Sequence, residues 1–296
     1  MKSIIVLPKK ESTKSINLMP YPTRKKISTI LFATDLSEAS KEALKFAKQF
    51  AKSCSASLKI VYAWQNEFHG KDSYSQQEIS NQRTLAINEL KIMSGKEEFV
   101  AFDYLIGRPE IEYVEQSAFF DLLIVQLGHT AGLRDNLFHS ETFKIIENSR
   151  CPVLVLPNKF YSAPLKKITV VSKAFVSSDI INNLTYSFSY NLDLCYEVVK
   201  ILSSSSIYSV DCDKILLNEI QLERNIKKRN AGIRLKINSV VGNNFISGIK
   251  NYLNCKPAEM LVIQMEDLPT DDFHSLRSRL KELFSVVNIP TLLWRK

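Results

Sequence analysis

The chain has 296 residues, enough for two domains of ordinary size, with the 45% apolar and 24% charged residues of a globular protein. No apolar run approaches the roughly 20 residues of a membrane span, and Ile4-Ile5-Val6-Leu7 before Pro8 is too short for a signal-peptide core, so no membrane contact and a cytoplasmic location are expected. The net charge of +8 excludes less than its size suggests, because residues 1–26 hold seven Lys/Arg against Glu11 alone and so carry +6 of it. A solvated basic leader is the simpler reading of that run, and nucleic acid is not expected as a partner.

The predicted elements alternate. Ile30–Thr34 reads as a first strand, Ser37 as the cap of a helix with Glu38 in its first turn, and Ala39, Ala43, Phe46, Ala47 and Phe50 as its apolar face. Leu58–Ala63 is the second strand. A polar stretch, Gln65–Ser75, leads into a long helix with Ile79, Ala86, Leu90 and Met93 on one side. Phe99–Leu105 is the third strand, and Ile111, Val114 and Ala118 mark a short helix. Leu122–Val125 is apolar throughout, as a parallel strand covered on both faces should be. Phe143 and Ile146 sit on the next helix, before the strand Val153–Leu156. After a linker at 159–166 with Pro164, strands recur at Ile168–Val171, Tyr196–Ile201, Leu235–Val241, Met260–Gln264 and Thr291–Trp294. Helical spacing recurs at Ile181, Leu184 and Phe188, at Ile246, Ile249 and Leu253, and at Phe273, Leu276, Leu280 and Phe284.

The second series repeats the first. Ile30–Asp35, Asp121–Gln126 and Pro152–Leu156 return 138 residues later as Ile168–Lys173, Glu259–Gln264 and Pro290–Trp294, which predicts copies of equal length. What recurs is apolar strand. What changes, from Asp35 to Lys173, is polar and sits at a strand end. The expectation is an α/β protein of two tandem Rossmann-like domains, 27–158 and 167–296, each a five-stranded, mainly parallel sheet with helices on both faces. The five cysteines (Cys54, Cys151, Cys195, Cys212, Cys255) form no C-x-x-C pair and read as reduced, mostly structural thiols.

Ligands of such sheets bind beyond the carboxyl ends of the strands. There the first copy carries Thr34-Asp35, Gly107-Arg108-Pro109 and the loop from Gly128 through Gly132-Leu133 to Phe138-His139-Ser140, ahead of Cys151-Pro152-Val153-Leu154-Val155-Leu156-Pro157. With these pieces the chain resembles the universal stress protein family in its tandem form, whose fold is that of the adenine nucleotide alpha hydrolases. The resemblance covers residues 27–158 strongly and 165–296 weakly. It implies a stress-response protein that acts by binding rather than catalysis, with weak binding of ATP, accompanied by Mg, in the first copy only. It implies adenine-side roles for Thr34, Asp35 and Ala63, and phosphate-side roles for Gly128, Gly132, His139 and Ser140. Two loop glycines of the family fall on Gln126 and His129 here, and a third on His139. In the second copy Lys173 replaces the aspartate and Glu266–Ser285 holds no glycine, so no nucleotide is expected there.

Other readings stay open at this point. Asp35 can cap the following helix with Ser37, and Ser140 can be a helix N-cap. His129 and His139 share a loop but lack a third ligand for zinc. No Gly-x-Ser-x-Gly elbow is present, so an enzyme on this fold is disfavoured against a pure interaction module with both pockets lost. The resemblance also implies that the last strands of the two copies pair into an intramolecular pseudo-dimer. A twofold pairing of whole chains on top of that, and unidentified protein partners, remain open.

Overall fold

The computed structural model describes residues 26–65, 76–127, 136–158, 165–173, 178–188, 194–203, 212–230, 232–268 and 275–294. The first copy runs β1 (Thr29–Thr34), α1 (Glu38–Cys54), β2 (Ser57–Trp64), α2 (Gln76–Ser94), β3 (Val100–Ile106), α3 (Pro109–Ser117), β4 (Leu122–Gln126), α4 (Asn136–Asn148) and β5 (Val153–Leu156). The second runs β6 (Lys167–Ser172), α5 (Ser178–Phe188), β7 (Cys195–Ser203), α6 (Cys212–Arg229), β8 (Arg234–Gly242), α7 (Phe245–Cys255), β9 (Met260–Gln264), a 3-10 turn (Met265–Asp267), α8 (Leu276–Val286) and β10 (Thr291–Trp294).

All ten strands lie in one sheet, ordered β3-β2-β1-β4-β5-β10-β9-β6-β7-β8. Every pairing inside a copy is parallel; β5 and β10 join the copies antiparallel, with Leu154 opposite Leu292, Val153 opposite Leu293 and Val155 opposite Thr291. Leu154 and Leu292 are 138 residues apart, so each faces its own repeat equivalent. A local twofold axis therefore passes between them. Two apolar layers follow: α1, α2, α5 and α6 cover one face, and α3, α4, α7 and α8 the other. Each layer crosses the copy boundary through an aromatic pair, Phe50 edge-on to Phe188 with centroids 5.2 Å apart and Phe143 stacked on Phe284 at 6.4 Å.

Local sequence explains where elements start. Ser37 Oγ accepts the Ser40 amide at 3.1 Å to begin α1, and Ser55 ends it in the left-handed region at φ 52°. Asp121 Oδ2 accepts both amides and both hydroxyls of Ser28 and Thr29 at 2.7–3.0 Å, clamping the start of β1 to that of β4. The second copy repeats the device: Glu259 Oε2 accepts the amides of Lys166 and Lys167, at the same 138-residue offset.

Three sequence expectations need correction. The offset is not uniform. Leu58 pairs with Val100 but its equivalent Tyr196 pairs with Leu235, an offset of 135 for the third strands, and the longer α7, 11 residues against 9 in α3, restores two of the three missing residues. The buried face of α3 is Glu110, Tyr113 and Ser117, not Ile111, Val114 and Ala118; Ile111 is 43% exposed. The charged helix α6 escaped the apolar pattern, because among its described residues only Ile226 is buried.

Candidate functional site

In each copy the strand order reverses between the first strand and the fourth, so the crevice lies beyond the carboxyl ends of β1 and β4 in the first copy. Thr34 and Asp35 close β1. Thr34 is 3% exposed; its Oγ1 shares a hydrogen bond with Ser40 Oγ at 2.8 Å and accepts the amide of Leu36, which stands at φ 62°. Asp35 is exposed, and its Oδ1 accepts the Ser37 amide at 3.0 Å. Both side chains thus shape the turn into α1, as the capping reading anticipated. Asp35 Oδ2 has no partner among the described residues, so one carboxylate oxygen faces outward at the switch point.

Tyr113 of α3 is the residue that sequence reasoning missed. Its ring is buried beneath the crevice, and its hydroxyl donates to Thr34 O at 2.9 Å while accepting from the Ala63 amide at 3.1 Å. One phenol thereby bolts the ends of β1 and β2 together. The expected adenine-side residue Ala63 already has its N–H paired. Burial pushes the Tyr113 phenol up, with the nearby Asp35 carboxylate adding to the effect. The hydroxyl stays neutral and able to donate at any physiological pH. The hint available in the sequence was the helical spacing Glu110, Tyr113, Ser117.

Gly107 leads into α3. A Cβ there would fall 2.0 Å from Glu112 Oε1, the movable end of a flexible side chain, so it is the backbone φ of 159°, rarely adopted by residues with a Cβ, that favours glycine at the Gly-x-Pro entry. Glu110, 9% exposed, ties α3 to α4 by pairing with Arg108 and with Lys144 Nζ at 3.7 Å. Burial would raise its pKa; its own backbone amide, Arg108 and Lys144 outweigh that and hold it below the usual carboxylate value. Of the phosphate-side residues, His139 and Ser140 are the fourth and fifth residues of α4, so Ser140 is not its N-cap, and the free amides that favour an anion belong to the residues before them, at the start of the helix. Gly128, His129 and Gly132 lie outside the described residues, as do the side chains of His139 and Ser140. No group of three His, Cys, Asp or Glu is placed to hold a metal among the described residues.

The same crevice in the second copy is filled from inside. Ser172 replaces Thr34 and is fully buried. Lys173 replaces Asp35 and extends over the Phe245 ring, 5.8 Å from its centroid. Desolvation lowers the Lys173 pKa and Arg279 adds to this, while Asp267 opposes it. Burial raises the pKa of Asp267, whose carboxylate sits against Ser172 and the Lys173 amide. Tyr113 has become Gly248 and Ala63 has become Ile201, a large-for-small exchange across one helix–strand contact. The Ile201 side chain now occupies that space: a Cβ on Gly248 would lie 2.3 Å from Ile201 Cγ2.

Residues 26–157 match the model of the universal stress protein family. No curated protein matches the chain. Among solved structures, the universal stress protein of Archaeoglobus fulgidus DSM 4304 aligns with 92% of this chain and 97% of its own, at TM-score 0.68 and 13% identity. A functionally unknown protein of Pseudomonas aeruginosa PAO1 aligns with 91% of this chain and 92% of its own, at TM-score 0.56 and 14% identity. At such identities the likeness is one of fold, and it extends over both copies. The family match is confined to residues 26–157, the copy that keeps the exposed strand-end aspartate, so it is the first copy that is a universal stress protein domain.

Proposed function

We propose that this is a cytoplasmic stress-response protein whose first copy binds an adenine nucleotide, ATP with Mg, and whose second copy binds none. The carrying observation is the contrast at position 35 and its equivalent. Asp35 offers an open carboxylate oxygen at the switch point, suited to the amino and ring donors of a base. Lys173 is instead turned onto Phe245 within a crevice shared with Asp267 and Arg279. The base side of a nucleotide fits the residues present. Thr34 contributes its backbone rather than its hydroxyl, and the amides opening α4 suit a phosphate. The copies act as an intramolecular pseudo-dimer, the second serving as a permanent partner that covers the β5 edge. Binding rather than turnover is the proposed mode, because Asp35, Tyr113 and Glu110 form no nucleophile–base pair.

The test is a thermal melt of the full chain with and without Mg-ATP, beside Asp35→Ala. At about 100 times its dissociation constant a ligand stabilises by roughly 2.7 kcal/mol. A shift in the native chain that Asp35→Ala abolishes supports the reading, and so does an unchanged response in Lys173→Ala. An equal shift in native chain and Asp35→Ala, or none in either, refutes it and leaves a ligand-free interaction module.

A further inference from the structure

The end of the sheet that belongs to the second copy is strongly basic, and the fold does not require it to be. Residues 224–258, from the last turns of α6 through β8 and α7, contain eight Lys/Arg and no Asp or Glu, a net +8. With +6 in the leader and +8 here, the remaining residues carry −6 against the chain's total of +8. The equivalent residues of the first copy, 89–123, follow the same order of elements with three Lys/Arg and eight Asp/Glu. Helix, strand and helix therefore stand in this arrangement without the basic charge, which points to a role outside the fold.

The acids packed around this end are already engaged. Glu219 pairs with Lys200, Glu223 with Lys227, and Glu197 with Lys167 and Lys256. Arg224, Lys228, Lys236 and Lys250 are exposed and make no ion pair among the described residues. Arg224 and Lys228 lie one turn apart on α6, on the side away from the buried Ile226. Lys236 of β8 points to the opposite face of the sheet, since Leu235 and Ile237 beside it pack on the layer of α6. Lys250 is on α7, which covers that opposite face. Unpaired cations thus extend from one side of the sheet end to the other.

We propose that this end of the second copy binds single-stranded nucleic acid through its phosphates, a function separate from the nucleotide crevice of the first copy. The expectation against nucleic acid rested on the leader and the net total, neither of which shows this separation of charge. A row of unpaired Lys and Arg recognises repeated negative charge. The leader is not the occupant, because it is basic itself. A bilayer is a plane and meets only one side of the sheet end, whereas a flexible strand bends round it and meets cations on both sides. A duplex is too stiff to follow so short a turn without a cost in bending. Residues 224–258 hold two aromatic side chains, Phe245 and Tyr252, and both are buried. With no ring there for a base to stack on, the contact is to the backbone and carries no sequence preference.

Fluorescence anisotropy of a labelled oligo(dT) strand with the full chain, across a salt series, tests this. Each phosphate contact on a single strand adds about 0.7 to the steepness of log affinity against log salt. The triple variant Arg224→Gln, Lys228→Gln, Lys236→Gln should therefore lower that steepness by about 2 and weaken binding about tenfold or more at about 50 mM salt. Its urea midpoint should stay that of the native chain, since all three side chains are exposed. Lys91→Gln with Lys96→Gln, at exposed lysines in the equivalent stretch of the first copy, should leave the affinity within about twofold. Binding that the triple variant leaves unchanged would belong to the basic leader and overturns the proposal. A native chain that leaves the strand free overturns it too. If that chain is instead captured by phosphatidylserine vesicles, and the triple variant is not, the surface is assigned to a membrane.

Discussion

Adding one methyl group to Gly248 should reveal how the second crevice is filled. The new Cβ would sit 2.3 Å from Ile201 Cγ2 and 3.1 Å from its Cδ1, against an ordinary carbon contact of about 3.5–4.0 Å. Something must move by more than about 1 Å, and overpacking of that kind costs about 1–3 kcal/mol. The same change removes a glycine from a helix interior, which returns about 1 kcal/mol, so Gly248→Ala alone should destabilise by about 0–2 kcal/mol. Ile201→Ala, at a side chain 4% exposed, should cost about 2–5 kcal/mol through the cavity it leaves. The double variant should be less destabilised than the sum by about 1–3 kcal/mol, because the methyl then enters the space that Ile201 vacates. Urea unfolding of the four proteins, with unchanged m-values, measures the coupling. Additivity within about 0.5 kcal/mol would refute the claim that these two positions exchange one volume.

Three further predictions concern the frame around the site. Hydrogen bonds from Ser28 and Thr29 hold Asp121 below its ordinary pKa against a desolvation that would raise it. Its contribution is therefore complete above the unfolded value of about 3.9 and fades as pH falls through the folded one. Asp121→Ala should lower stability at neutral pH by about 1–3 kcal/mol and flatten the acid limb of a stability–pH curve; a parallel, downshifted curve would contradict this. Glu197, 4% exposed, pairs with Lys167 at 3.0 Å and Lys256 at 3.5 Å, so Glu197→Ala should cost about 3–5 kcal/mol by stranding Lys167, with a loss under about 1 kcal/mol in urea melts counting against it. Across the copy boundary, Arg277→Ala breaks a half-exposed bridge to Glu147 and should cost under about 1 kcal/mol, whereas Leu292→Ala at the axis should cost about 2–5 kcal/mol. Calorimetry should show Leu292→Ala lowering one shared transition; two resolved peaks in the native chain would mean the copies unfold independently.

Continuous apolar runs and helical apolar spacing made the strands and most helices readable, since burial on both faces of the sheet imposes the runs directly. Helix α6 was not, although Leu222 and Ile226, one turn apart, both pack against the core, because charged residues crowd the positions between and around them. The α3 face was misassigned because Glu110 and Ser117 point inward with Tyr113, each held by a hydrogen bond, so polarity misled. At the site, Asp35 was readable because strand ends are where crevices form. The exchange of Tyr113 for Gly248 was hidden by the local offset of 135, which no comparison at 138 could align, whereas Ala63 and Ile201 do align at 138.

The pairing of β5 with β10 also has a consequence in time. Val153–Leu156 is fully buried in the finished protein, yet its partner strand Thr291–Trp294 is made 138 residues later. At roughly 5–20 residues per second, a ribosome needs about 7–28 s to deliver it. During that interval a folded first copy presents a bare, uncharged strand to whatever is near, including the nascent first copy on a neighbouring ribosome. Synthesis order, rather than final stability, thus sets the window in which this chain can swap partners. Slowing translation between residues 158 and 291 should raise the yield of swapped dimers.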